Sequence, residues 1–153
     1  MATGKIQFHY AEGCRFKLPA SRKHAHWLSE IARKEGLVLQ SLAIVFCSDE
    51  YLLEINREFL QHDYYTDIIT FDLSEHPNEI EGELYISIDR TIENAAELKT
   101  STLQETRRVM AHGLLHLCGY GDKSDQEALV MRQKEDHCLG LANELFHVEH
   151  TKT

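Results

Sequence analysis

The sequence predicts an α+β fold, and three observations carry that prediction. Four short segments, residues 5–10, 42–47, 66–73 and 83–88, are apolar in alternation or in a run, as strands are. Five stretches between and after them repeat apolar residues at helical spacing behind recognisable N-terminal signals. At 153 residues the chain can bury a core without disulfides. Residues 1–153 are therefore expected to form a single domain.

In residues 5–10, Ile6 and Phe8 alternate with polar neighbours. Pro19 to Ser21 supplies helix-start signals, and a helix is expected to about Lys34, with Trp27 or Leu28, Ile31 and Ala32 buried and Gly36 as its stop. His24 and His26 lie two apart, face different ways on that helix, and read as surface residues. Residues 42–47 are apolar on both faces and are expected inside a sheet. Ser48, followed by Asp49 and Glu50, opens a helix that should bury Leu52, Leu53, Ile55 and Phe59 and end near Leu60.

Residues 66–73 and 83–88, joined by a polar turn around His76, Pro77 and Asn78, read as an antiparallel hairpin with Leu84, Ile86 and Ile88 on one face. Asp89 opens a short helix to about Lys99. Ser101-Thr102-Leu103-Gln104 and Ser124-Asp125-Gln126-Glu127 are capping boxes that start two further helices. Beyond Gly140 the chain is thinly apolar, and residues 147–153 read as a frayed tail.

The helix that Ser101 starts carries the chemistry. Leu103, Met110, Leu114 and Leu117 form its core stripe, whereas Glu105, Arg108, His112 and His116 lie along a different face. Residues four apart on a helix sit about 40° apart around its axis, so His112 and His116 can point at one metal ion. A straight helix cannot supply a third ligand. Gly119 is placed to end it in the left-handed conformation, after which Tyr120-Gly121 carries Asp122 back. His112, His116 and Asp122 are thus the candidate metal ligands, a set that leaves a zinc ion one open position for chemistry. The spacing also matches the zinc-peptidase signature H-E-x-x-H-x-x-G-x-x-H except at two positions. Gly113 replaces its general base, which argues against a peptidase, while Asp122 replaces its third histidine with another competent ligand. Glu105 and Arg108, three apart, read first as an ion pair; Arg108, one turn before His112, is alternatively placed to meet an anionic substrate.

Composition narrows the class. Cys14, Cys47, Cys118 and Cys138 are dispersed without a C-x-x-C pair, which fits a reducing cytoplasm. The first ten residues lack a signal-peptide apolar run, and no run is long enough to span a bilayer, so no membrane partner is expected. A net charge of −9 implies modest affinity for free RNA.

The chain resembles the YbeY family of bacterial metal-dependent endoribonucleases and rRNA maturation factors, from about Leu42 to Leu139. The likeness rests on His112-Gly113-x-Leu115-His116-Leu117-x-Gly119-Tyr120, and on Ile55-Asn56, Thr66-Asp67-Ile68-Ile69-Thr70-Phe71 and Gly82-Glu83-Leu84. Gly121 and Asp122 stand where that family has aspartate and a third histidine. Leu60 and His62 stand where it has an arginine and a lysine. The resemblance implies a four-stranded mixed sheet packed by about five helices around a central metal-bearing helix. It implies one Zn2+ per chain, cleavage of single-stranded RNA in 16S rRNA 3′ end maturation, and a role in ribosome quality control, with rRNA and the small ribosomal subunit as partners and no DNA. Arg108 or His62 would then take the place of the family arginine in offsetting charge on the phosphorane. The competing expectation is a non-catalytic, metal-stabilised ribosome assembly factor, with a zinc peptidase a distant third.

Overall fold

The computed structural model describes the backbone of residues 5–151 and the side chains of residues 5–146. Its elements follow in the order β1 (Ile6–Tyr10), α1 (Ser21–Lys34), β2 (Val38–Cys47), α2 (Asp49–Leu60), β3 (Ile68–Asp72), β4 (Glu79–Ser87), α3 (Ile88–Glu97), α4 (Thr102–Leu117) and α5 (Asp125–Thr151). The strands form one mixed sheet in the order β1-β2-β4-β3, with β1, β2 and β4 parallel and β3 antiparallel along the edge. The expected hairpin of β3 and β4 is present. Residues 1–4, 152 and 153 lie outside the described residues; the segment read as a frayed tail continues α5 as helix through Thr151.

The two faces of the sheet are covered unequally. On one, Leu42, Ile44 and Phe46 of β2 and Leu84 and Ile86 of β4 are buried under α1 and α4. On the other, α2 packs over a small cluster of Cys47, Leu52 and Ile69, and Ala43 and Val45 are only half-buried. The apolar run in β2 lies inside the sheet, between β1 and β4, as expected, and is covered more fully on the first face than on the second. Ile88 is buried as the first residue of α3, not as a strand residue, and Ser87 caps that helix by accepting from the Arg90 N–H at 3.2 Å.

Two further expectations are corrected. Phe59 is 62% exposed, and Asn56 takes the buried position on α2 because its amide donates to the Tyr64 carbonyl at 2.8 Å and so holds the following loop. His24 is fully buried, not on the surface: its Nδ1 lies 3.1 Å from the Ala20 carbonyl, and its Nε2 accepts from Arg107 Nε at 3.1 Å. Both ring nitrogens have partners only in the neutral form, and burial, with Arg107 beside it, lowers its pKa to about 4.

Helix α4 lies at the centre, against β3, β4, α1, α3 and α5. Met110 and Leu114 are fully buried on it. Gly113 explains how it lies so close to the sheet, since a Cβ there would come within 2.7 Å of Ile68 Cδ1 and 2.9 Å of Leu84. The residue that replaces a peptidase glutamate is a contact surface with no room for a side chain.

Candidate metal centre

Ser101 starts α4 by accepting from the Gln104 N–H at 3.0 Å, and the helix ends as the sequence suggests. Gly119 has φ +108°, its N–H reaches the His116 carbonyl at 3.0 Å, and the Tyr120 N–H reaches the Leu115 carbonyl at 3.1 Å. This paired closure reverses the chain within one turn. The turn is then fixed from outside. Tyr120 donates its hydroxyl to Glu35 at 2.7 Å, and Glu127 of the second capping box accepts from the backbone of Lys123 and Ser124 at 3.0 and 3.3 Å.

Asp122 is thereby brought back over α4. Its Oδ2 lies 3.4 Å from the Nε2 of both His112 and His116, and those two nitrogens are 3.0 Å apart. The three donor atoms lie within 4.8 Å of one another, a group that could hold a metal ion. The opposite ring nitrogens are spoken for: His112 Nδ1 is 2.6 Å from Glu135 Oε2, and His116 Nδ1 is 2.9 Å from the Tyr120 carbonyl. A carboxylate and a carbonyl only accept, so in the neutral rings both Nδ1 atoms carry the proton and both Nε2 lone pairs face Asp122. Three lone-pair donors converging without a proton between them repel one another unless a cation lies among them. The donor set fits a metal.

The acidic surroundings of His112 favour positive charge at the site. Burial lowers the His112 pKa, but the Glu135 carboxylate more than offsets it, so the net shift is upward. Burial raises Glu135, and its bonds to His112 and Arg108 outweigh that, so it is held below the usual carboxylate range. Arg108 pairs with Glu135 at 2.9 Å and Asp136 at 3.1 Å, and with Glu105 at 3.8 Å. The expected Glu105–Arg108 pair exists, yet its shorter bonds go to α5. Glu135 is the residue that sequence reasoning missed. Its signal was a charge on the apolar stripe Met131, Glu135, Cys138, Ala142, all four of them buried.

Two clefts meet at His112 and Asp67. One, of about 330 Å³, is bordered by Glu105, Arg108, Arg132 and Glu135. The other, of about 490 Å³, brings the three candidate ligands together with Leu60, His62 and Tyr64. Arg108 and His62 thus border different clefts. Within the described residues no helix is long and apolar enough to cross a membrane.

Comparison with known proteins gives the following similarities. Residues 14–143 match the family described as Endoribonuclease YbeY. A protein of that name from Cytophaga hutchinsonii is 50% identical over 134 residues, which cover 88% of this chain and 94% of the relative. Another from Flavobacterium psychrophilum is 44% identical over 144 residues, covering 94% and 98%. The solution structure of TM1509 from Thermotoga maritima superposes with a TM-score of 0.66 at 25% identity, over 97% of this chain and 95% of that one.

Proposed function

Since the chain belongs to the Endoribonuclease YbeY family, we propose that it is a zinc-dependent single-strand endoribonuclease of the cytoplasm, acting in 16S rRNA 3′ end maturation and ribosome quality control on the small subunit. The observation that carries the reading is the convergence of His112 Nε2, His116 Nε2 and Asp122 Oδ2 at 3.0 to 3.4 Å. A tetrahedral zinc with ligands at about 2.0–2.2 Å separates its donors by roughly 3.3 Å. Bound there, the ion supplies Lewis acidity toward a phosphoryl oxygen and an acidified water.

The chain's own groups do the rest. Glu135 and the Tyr120 carbonyl hold the two imidazoles in the tautomer that offers Nε2. Arg108 keeps Glu135 ionised and in place, and borders the smaller cleft as a cation for the RNA backbone. His62 faces the larger cleft and takes the electrostatic place of the family arginine, where Leu60 stands here. Position 113, where a peptidase carries its general base, is a glycine with no room for a side chain, which supports a nuclease over a peptidase.

Metal analysis of the purified protein followed by cleavage of a single-stranded RNA carrying a 16S 3′ end tests the proposal. One zinc per chain, with cleavage lost to chelator, restored by zinc and absent in His116→Ala, is the expected result; cleavage that persists in chelator overturns it. Leu60 in the cleft wall favours one second reading, a metal-stabilised assembly factor without cleavage. That reading predicts zinc binding and ribosome association with no RNA product.

A further inference from the structure

The larger cleft poses a problem for any RNA ligand. Among the described residues that line it there is no lysine or arginine, while Asp67, Asp72 and Asp122 contribute three carboxylates. Counterion release by lysine and arginine, the usual source of affinity for a phosphate backbone, has no donor among these residues. Contacts that do not depend on charge can add affinity in this cleft.

The loop between α2 and β3 offers one. Tyr64 lines this cleft and is 56% exposed, with the His62 ring stacked on it at 5.1 Å between centroids and 19° between planes. The Tyr64 hydroxyl lies 2.9 Å from His62 Nδ1, which ties the two rings together. Their backbone is rigidly held. The buried Asn56 amide donates to the Tyr64 carbonyl at 2.8 Å, and the His62 N–H reaches the Asn56 carbonyl at 3.0 Å, through a left-handed Gln61 with φ +56°. The next tyrosine is differently employed: Tyr65 donates to Glu50 at 2.6 Å and carries Arg90 over its ring at 5.1 Å.

We propose that His62 and Tyr64 form a preorganised two-ring platform on which an unpaired base of the RNA stacks beside the candidate metal centre. The proposal rests on the ribonuclease reading above and specifies how that site holds its substrate. Bases present a π-face whatever their identity, so the platform selects single strands without selecting sequence. A ring held in place before binding loses little conformational freedom when the base arrives. Because stacking releases no counterions, it adds affinity without adding salt dependence.

The test uses the zinc-loaded protein and a short single-stranded RNA carrying 2-aminopurine at each position in turn, read by stopped-flow fluorescence before cleavage. One position should be quenched on binding by the wild type. Tyr64→Ala should lose that quench and weaken binding roughly tenfold, with an unchanged slope against salt, while Tyr64→Phe and Tyr64→Trp retain both. Replacing the quenched base with an abasic residue should abolish the difference between wild type and Tyr64→Ala. A Tyr64→Ala protein that binds and quenches like the wild type overturns the platform, as does an equal loss on abasic RNA, which would mark a structural role. Wild-type protein that neither binds nor cleaves RNA removes the functional reading and the platform with it; wild-type cleavage with Tyr64→Ala unchanged removes the platform alone.

Discussion

Two histidine environments flank α4, and they take opposite electrostatic courses. His24, wedged beside Arg107 and the Phe146 ring, has its pKa pushed down to about 4. His112, the same residue type in a half-buried setting, has its pKa raised, because the group against its Nδ1 is the Glu135 carboxylate at 2.6 Å. Burial acts in the same direction on both. The difference lies in the partner: His24 Nε2 is filled by a guanidinium donor, which leaves no lone pair for a cation, whereas His112 Nε2 is left facing His116 and Asp122. Neighbouring residues of one helix, Arg107 and Arg108, support these two outcomes on different faces.

The largest expected effect separates the pair outright. His112→Ala or His116→Ala should abolish binding of the single metal ion, while His24→Ala leaves its stoichiometry at one per chain, as measured by metal analysis. Asp122→Ala should weaken affinity severely and Asp122→His should retain it. Asp125→Ala should change little, since Asp125 is the first residue of α5 and favours its positive terminus. A titration in which Asp125→Ala costs more than Asp122→Ala would reassign the third ligand.

A second experiment reads the other histidine through stability. The unfolded chain protonates His24 near 6.5 and the folded chain near 4, so the unfolded state binds more protons in that window. Stability is complete above pH 6.5 and declines as pH falls toward 4, by roughly 3 kcal/mol for a shift of that size. Denaturant unfolding of His24→Gln at pH 7 and pH 5 should therefore show a shallower decline than the wild type; parallel curves would contradict the assignment.

Glu135→Ala comes next in size. It removes the acceptor that orients His112, and metal affinity should fall about 10- to 100-fold by competition with a chelator, with the fold retained by circular dichroism. Unchanged affinity would show that the helix alone orients the ring. The smallest effect belongs to Arg107→Met. Burial outweighs Arg107 among the causes of the His24 shift, so the pH dependence of stability should become only slightly shallower than in the wild type. A flat profile would make the guanidinium the dominant cause.

Local patterns in the chain are enough for the elements and for the turn that carries Asp122. The capping serines at 48, 101 and 124 each accept from the N–H three residues on, and Gly119 closes α4 as its position suggests. These features depend on residues within a turn of one another, where spacing and backbone sterics suffice. Asp122 could be placed beside His112 and His116 for the same reason. Glu135 could not, because its link to His112 spans 23 positions and exists only when α5 packs on α4. The same holds for His24: two histidines at i and i+2 look like surface residues until Arg107, 83 positions away, and Phe146 close over one of them. The space beside Gly113 is set by Ile68 and Leu84 from two strands. Sequence spacing reports which side chains share a helix face or a turn; partner, burial and proton affinity arise where separate elements meet, and that contact is made by packing the whole chain.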